Sequence, residues 1–194
     1  MKNNTKRTLL AAGLLGVVLL QGCATSIKAS ATRNPQPVEP FNKFSRIELK
    51  HVVFKEGFEG DAMALNKIDE NIQKDLSEKL KQWNSGPVTG RSLVIEPVID
   101  DVTHKGVVAR VLLGPLIGSS GVLLRMNIRD EQGKLIASPQ FFQRASAMAA
   151  GFTLGVHDNL MLTRVGNMAS AYVIANYDAA VGGPTGADAQ SIAE

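Results

Sequence analysis

The feature that most limits how this chain can fold is a regular apolar stripe in its first half. Six apolar side chains recur at steps of three or four residues, the spacing that places them on one face of an α-helix: Leu65, Ile68, Ile72, Leu76, Leu80 and Trp83. Asp61 stands where it can cap the first turn, and Gly86-Pro87 ends the helix. A helix with one apolar face needs a second layer to cover that face.

The second layer is predicted to be a β-sheet. Ser45 to Phe54 alternates between polar and apolar residues, and the alternation puts His51, expected to be partly buried, on the inner face with Ile47, Leu49 and Val53. Four more segments have strand-like patterns: Ser92 to Val102, Val107 to Leu113, Val122 to Asp130, and Lys134 to about Ser146. Pro97 confines the first of these four to an edge or a bulge, because proline has no N–H to donate.

The remaining local signals complete a fold prediction. Asp130-Glu131-Gln132-Gly133 has the composition of a hairpin turn, with Gly133 free to adopt a positive φ. Asp158 is expected to cap a second helix that runs to about Tyr177, with Met161, Val165, Met168, Tyr172 and Ala175 facing inwards. The order strand, helix, four strands, helix predicts an α+β fold. We expect a two-layer sandwich of a mainly antiparallel sheet of about five strands with two helices on one face, and a parallel first crossover.

The N-terminus has the three zones of a secretory signal peptide. Lys2, Lys6 and Arg7 precede an apolar run from Leu9 to Leu20, and Gly22 stands before Cys23. The run has 12 residues, fewer than the roughly 18 that indicate a transmembrane helix. We therefore expect residues 1–22 to be removed.

Leu20-Gln21-Gly22-Cys23 resembles the bacterial lipobox, in which the cysteine thiol receives a diacylglyceryl group. Cys23 is the only cysteine, so acylation also accounts for an odd thiol in a secreted chain. The resemblance implies three acyl chains on Cys23, and stable anchoring requires at least two. Because Ala24 rather than Asp follows the cysteine, the resemblance also implies the outer membrane, with the protein facing the periplasm.

Removal of the signal changes the charge balance. The full chain has 21 basic and 18 acidic residues, and the first 22 residues contain three basic ones and no acidic ones. The mature chain is therefore formally neutral, which excludes the basic footprint of a nucleic-acid-binding protein. Residues 23–40 are polar and contain prolines, which predicts a lipidated flexible tether. Residues 41–180 are expected to form one periplasmic domain, and residues 181–194 a flexible tail.

No pattern of residues indicates catalysis. Gly118-Ser119-Ser120-Gly121 lacks the Gly-x-Ser-x-Gly spacing of a nucleophile elbow, and its composition favours a turn. The three histidines, His51, His104 and His157, are too far apart in sequence to form a metal-binding pair. Asp101 and His104 are the one acid–histidine combination close enough to face one another across a turn. We expect no enzyme activity, no metal and no cofactor.

The most unusual region is the apolar run between residues 106 and 128. Its only charged residues are Arg110 and Arg125. One interpretation is a pair of strands with both faces covered. The other is an exposed apolar hairpin that meets a partner, a lipid or the membrane, with Leu113, Leu116 and Ile117 at its bend.

Val94 to Ala147 resembles a domain of unknown function found in proteobacterial lipoproteins. The resemblance is carried by Ile99-Asp100-Asp101, by the glycines Gly114, Gly118 and Gly121, and by the hairpin pattern of Asp130, Gly133 and Lys134. It implies an accessory binding module. We therefore expect an anchored, non-catalytic interaction module with an envelope protein as partner. The alternative is a periplasmic carrier or sensor that binds a small apolar ligand or lipid.

Overall fold

A computed structural model describes residues 36–88, 90–103, 120–145 and 156–183 of the 194-residue chain. After a short 3-10 helix, Phe41–Lys43, these residues form six strands and two long helices. The strands are β1 (Arg46–Leu49), β2 (Val53–Phe54), β3 (Ser92–Thr103), β4 (Ser120–Asp130), β5 (Leu135–Ala137) and β6 (Gln140–Ala145). The helices are α1 (Ala62–Trp83) and α2 (Val156–Ala175).

The sheet is mixed, with two long central strands and two broken outer positions. β3 and β4 pair antiparallel along most of their length. β1 and β2 follow one another along the outer side of β3, both parallel to it. β5 and β6 follow one another along the outer side of β4, both antiparallel to it. The predicted α+β fold and the parallel first crossover are confirmed, with six strands in place of about five.

The stripe on α1 packs as predicted. Asp61 caps the helix by accepting a hydrogen bond from the Met63 N–H at 2.8 Å, and the helix ends at Trp83. Ile68, Ile72 and Leu76 are completely buried, while Leu65, Leu80 and Trp83 pack against the edge of the same core. Burying such a stripe removes about 25 cal/mol of unfavourable hydration per Å² of apolar surface.

Alternate residues of the central strands supply the opposite side of the core. Odd-numbered residues of β3 and even-numbered residues of β4 point to the two helices, which contact one another on that face. The largest of these buried side chains are Leu93, Ile95, Ile99, Leu124, Met126 and Ile128. The Asp130 hairpin also forms as predicted, with Gly133 at φ 78° and the Asp130 carboxylate accepting the Lys134 N–H at 2.8 Å.

The predicted strand Ser45 to Phe54 is wrong in its second half. The chain breaks between β1 and β2, and the inner face changes from Ile47 to Val52, which is 3% exposed. Val53 is 52% exposed, and the His51 side chain is 82% exposed. His51 is therefore not a core histidine.

Pro97 explains the break. The prediction placed Pro97 on an edge strand or at a bulge; β3 is a central strand, and its bulge lies between Ile99 and Asp101, beyond Pro97. The carbonyls of Ile95 and Ile99 accept hydrogen bonds from Lys50 and Lys55, so Pro97, midway between them, turns its nitrogen to the same side. The Pro97 nitrogen faces the gap between β1 and β2. An N–H at this position would have no strand partner, so the proline removes no hydrogen bond of the sheet.

Two other boundaries differ from the predictions. The strand predicted from Lys134 to Ser146 is divided into β5 and β6 around Ser138-Pro139. α2 begins at Val156, so Asp158 lies inside the helix rather than before it. Met161, Val165 and Tyr172 are buried and Met168 packs against the core, but Ala175 is exposed. The predicted strand Val107 to Leu113 lies outside the described residues.

The folded domain extends past both expected boundaries. Pro37 is buried, and the Val38 N–H donates to the Ile136 carbonyl at 3.0 Å. At the other end, Val181 and Gly182 are hydrogen-bonded to the buried side chain of Asn176. Neither described helix is long and apolar enough to cross a membrane.

Candidate interaction surface

The residues predicted to be lipidated or to bind a partner lie outside the part of the chain that the structure describes. They are Cys23, directly after the signal peptide, and Leu113, Leu116 and Ile117 in the apolar bend. The strands that lead to the bend are described. β3 and β4 are still paired at Val102↔Val122 and Thr103↔Gly121, so the segment 104–119 leaves from and returns to the two central strands at the same end of the sheet.

The sheet has a second face that neither described helix covers. We call it the open face. Its side chains are half-buried and come from alternate positions of three neighbouring strands: Val94, Glu96, Val98 and Asp100 of β3, Leu123, Arg125 and Asn127 of β4, and Phe142 of β6. Leu123 pairs directly with Phe142 across β4 and β6. Apolar and charged side chains are therefore interleaved on this face.

An ion pair with two hydrogen bonds occupies the middle of the open face. Arg125 Nε and Nη2 donate to the two carboxylate oxygens of Asp100 at 2.8 and 2.7 Å. Arg125 Nη1 also donates to Asn127 Oδ1 at 2.8 Å. The Arg125 and Asp100 side chains are only 28% and 13% exposed. Hydrogen bonding to Asp100 raises the pKa of Arg125, so the guanidinium stays charged at any physiological pH.

Asp100 lies at a β-bulge beside Arg125, the other member of this pair. The register of β3 against β4 shifts between Ile99 and Asp101, so Asp100 has no residue opposite it. Arg125 stands opposite Val98, two residues away on the same face. Asp100 and Arg125 are therefore diagonal neighbours on the open face, and both carboxylate oxygens meet the guanidinium.

This arrangement suits binding rather than bond-making chemistry. A partner that covers the open face would bury Asp100 and Arg125 with their hydrogen bonds already made, which avoids the cost of desolvating an unpaired charge. Leu123 and Phe142 beside the pair offer apolar contact area. Aromatic, aliphatic and arginine side chains around a satisfied charge are typical of the centre of a protein–protein interface.

The remaining chemical candidates are not brought together. His51 Nδ1 is 2.8 Å from the Asp69 carboxylate, which also accepts the Val52 N–H at 2.9 Å. The Asp69 carboxylate thus takes the place of a strand carbonyl as the acceptor for Val52 in the gap between β1 and β2. His51 lies beside this hydrogen bond. Among residues 36–88, 90–103, 120–145 and 156–183, no group of three His, Cys, Asp or Glu is placed to hold a metal ion. His104 lies outside these ranges.

Sequence reasoning did not find the Asp100–Arg125 pair. Two signals for it were present. Arg125 interrupts an otherwise apolar strand, and Asp100 stands next to Asp101 at what looks like the end of a strand. Their pairing depends on the register of β3 against β4, which has no sequence signature of its own here.

The chain matches no protein-family model and is not similar to any curated protein. Among solved structures, it is similar to a variant of PelC from Paraburkholderia phytofirmans, a dodecamer in space group C2, with a TM-score of 0.42, 10% identity, and coverage of 69% of this chain and 91% of PelC. It is also similar to the PelC dodecamer in space group P6, with a TM-score of 0.36, 10% identity, and coverage of 69% and 93%. Scores this low support no inference from PelC to this chain.

Proposed function

We propose that this protein is a lipid-anchored envelope lipoprotein that acts as a non-catalytic interaction module. The signal peptide and the lipobox ending in Cys23 support the anchor and a position on the outer membrane, facing the periplasm. The open face supports the second half of the proposal. It presents Leu123 and Phe142 around the hydrogen-bonded Asp100–Arg125 pair, and this is the observation on which the binding role rests.

The anchor is tested with Cys23→Ala in the native host. The lipoprotein peptidase acts on the modified cysteine, so we expect the variant to lose incorporation of labelled fatty acid and to accumulate as uncleaved precursor. The measurements are fatty-acid labelling and the mass of the N-terminal peptide. Normal maturation to a soluble domain would contradict the lipobox.

The binding role is tested in the same host by crosslinking intact envelopes and identifying the proteins that co-purify. Leu123→Lys places a charge in the middle of the open face, and we expect it to abolish capture of the partner while the melting temperature stays within a few degrees of wild type. Met63→Lys is the matched control, because Met63 is 60% exposed on α1, which packs on the other face of the sheet. Equal capture by the two variants would contradict a role for the open face.

A further inference from the structure

Both ends of the described chain meet at one end of the domain. The Phe41 N–H donates to the Asn176 carbonyl at 3.0 Å, and the Ser45 N–H donates to the Arg91 carbonyl at 3.0 Å. The last turn of α1 is here as well, because the Asn84 side chain binds both backbone groups of Ile47. We call this the tether end and define it as residues 36–46, 83–92, 130–135 and 176–183.

The segment that leads to Cys23 is held firmly at the tether end. Both carboxylate oxygens of Glu39 accept hydrogen bonds from the Arg91 guanidinium, at 2.8 and 2.9 Å. The same guanidinium lies 4.3 Å from the centre of the Phe44 ring, and Phe41 is completely buried. The first residue of this segment, Gln36, bonds to the Val181 carbonyl at 3.4 Å. Gln36, the first described residue, is therefore fixed at the tether end.

Exposed apolar side chains surround this point. Val38 is 64% exposed, Val88 65%, Leu135 43% and Val181 54%. Exposed lysines, Lys43, Lys81 and Lys134, lie on the same end of the domain. Valine and leucine side chains gain free energy on leaving water, and lysines at the rim can keep their ammonium groups among lipid headgroups. The combination fits a phospholipid surface.

The distance to Cys23 makes such a contact accessible. Thirteen peptide steps separate Cys23 from Gln36, so the tether spans at most about 45 Å. A domain confined this close to its anchor has an effective concentration on the order of millimolar at the surface, so a weak contact is enough to be populated. The opposite end of the domain is further from Gln36 by about 36 Å, the length of β3.

We propose that the tether end rests on the phospholipid bilayer that holds the acyl chains of Cys23, so that Thr103 and Ser120, at the far ends of β3 and β4, lie on the side away from that membrane. The proposal rests on the lipid anchor proposed above. It adds a fixed orientation of the domain, in which Val38, Val88, Leu135 and Val181 contact lipid.

The test uses the full mature, acylated protein in vesicles of phosphatidylethanolamine with a minor fraction of phosphatidylglycerol. Cys23 is the only native cysteine and is blocked by acylation, so one introduced thiol can carry an environment-sensitive fluorophore. The tether-end variants are Val88→Cys and Leu135→Cys. The controls are Met63→Cys, in the first turn of α1 at the opposite end, and Val53→Cys, which is beside Val98 in the middle of β3. A nitroxide-bearing phospholipid in the vesicles serves as the quencher.

We expect several-fold stronger quenching for the tether-end labels than for the controls. In the Val88→Cys protein, the further change of Val38 and Val181 to serine should reduce the quenching several-fold, whereas Val53→Ser should not. Equal quenching at both ends, stronger quenching at Met63→Cys, or none at either end would overturn the orientation. The mass of the N-terminal peptide separates this result from failure of the anchor, since an unacylated Cys23 would refute the proposed lipoprotein and the orientation together.

Discussion

Asn176 is the buried polar residue that ends the second helix and holds the chain beyond it. Its side-chain amide donates to the carbonyls of Tyr172 and Gly182, both at 2.8 Å. Its side-chain oxygen accepts the N–H groups of Val181 and Gly182 at 2.9 and 2.8 Å. Asn176 is completely buried, so its hydrogen bonds are made away from water, where an unpaired group would be costly.

Asn176→Ala should destabilise the protein by about 2–3 kcal/mol, because it leaves the buried N–H and carbonyl of Gly182 without their side-chain partner. Urea unfolding of the purified mature protein measures the loss. The control is Asn42→Ala, since Asn42 is exposed and its side chain makes only a 3.5 Å contact with Asp178. That control should change stability by no more than about 0.5 kcal/mol. Equal effects of the two substitutions would mean that the Asn176 network contributes nothing to stability.

At the scale of elements, α1 acts on the sheet in two ways. Its apolar face fills the core, and three polar side chains bind the backbone of the edge segment 47–52. Asn84 pairs with Ile47 in the manner of a strand, Gln73 donates to the Lys50 carbonyl, and Asp69 accepts the Val52 N–H. An exposed sheet edge invites pairing with other chains. The polar side chains of α1 therefore cover the sheet edge at the gap between β1 and β2, beside Pro97.

The packing of α1 is tested by Ile72→Asp. Ile72 is 0% exposed in the middle of the stripe, and an unpaired buried charge costs several kcal/mol or more, comparable with the roughly 5–15 kcal/mol stability of a whole domain. We expect the variant to be unfolded or to melt far below wild type.

Glu78→Ala is the control for this helix. Glu78 is exposed on the opposite face of α1, so its removal should change stability by only about 0.5 kcal/mol. The comparison is a pair of thermal melts followed by circular dichroism. If both variants melt together, the assignment of the buried face is incorrect.

At the scale of the whole molecule, the described residues that flank the tether and the apolar segment lie at opposite ends of the sheet. The segment from Gln36 to Ser45 is bound beside the start of β3, where Ser45 contacts Arg91. Thr103, the last described residue before segment 104–119, is at the other end of the same strand. The length of β3, about 36 Å, separates these two points, and the open face runs between them.

The apolar bend is tested by changing Leu116 and Ile117 together to serine. The glycines and proline around them favour a turn, and turns lie at the surface, so we expect the melting temperature to stay within a few degrees and capture of the partner to be lost. Side chains in the core would each lose about 1.5–3 kcal/mol of burial. A variant that is strongly destabilised and still captures the partner would end the hypothesis that the bend is an interaction site.

The sequence by itself determined the elements whose signals are local. The stripe from Leu65 to Trp83 identified α1 and its buried face, because a period of three or four residues has one structural meaning over so long a segment. Gly133 and Asp130 identified the hairpin in the same way, because glycine is free to adopt a positive φ and an aspartate side chain binds nearby backbone groups in a turn. The α+β class followed from the order of these elements.

Only the tertiary structure decided the features that depend on contacts between distant residues. His51 is exposed because Pro97, almost fifty positions away, breaks the edge beside it. Asp100 meets Arg125 because the register of β3 against β4 puts Arg125 opposite Val98, next to Asp100 on the open face. The bulge that follows turns Val102 back to the core. A strand's side-chain period is two, so one inserted residue reverses which face every later residue occupies. Such a shift is set by the packing of both strands against the helices, and no single segment of the sequence contains it.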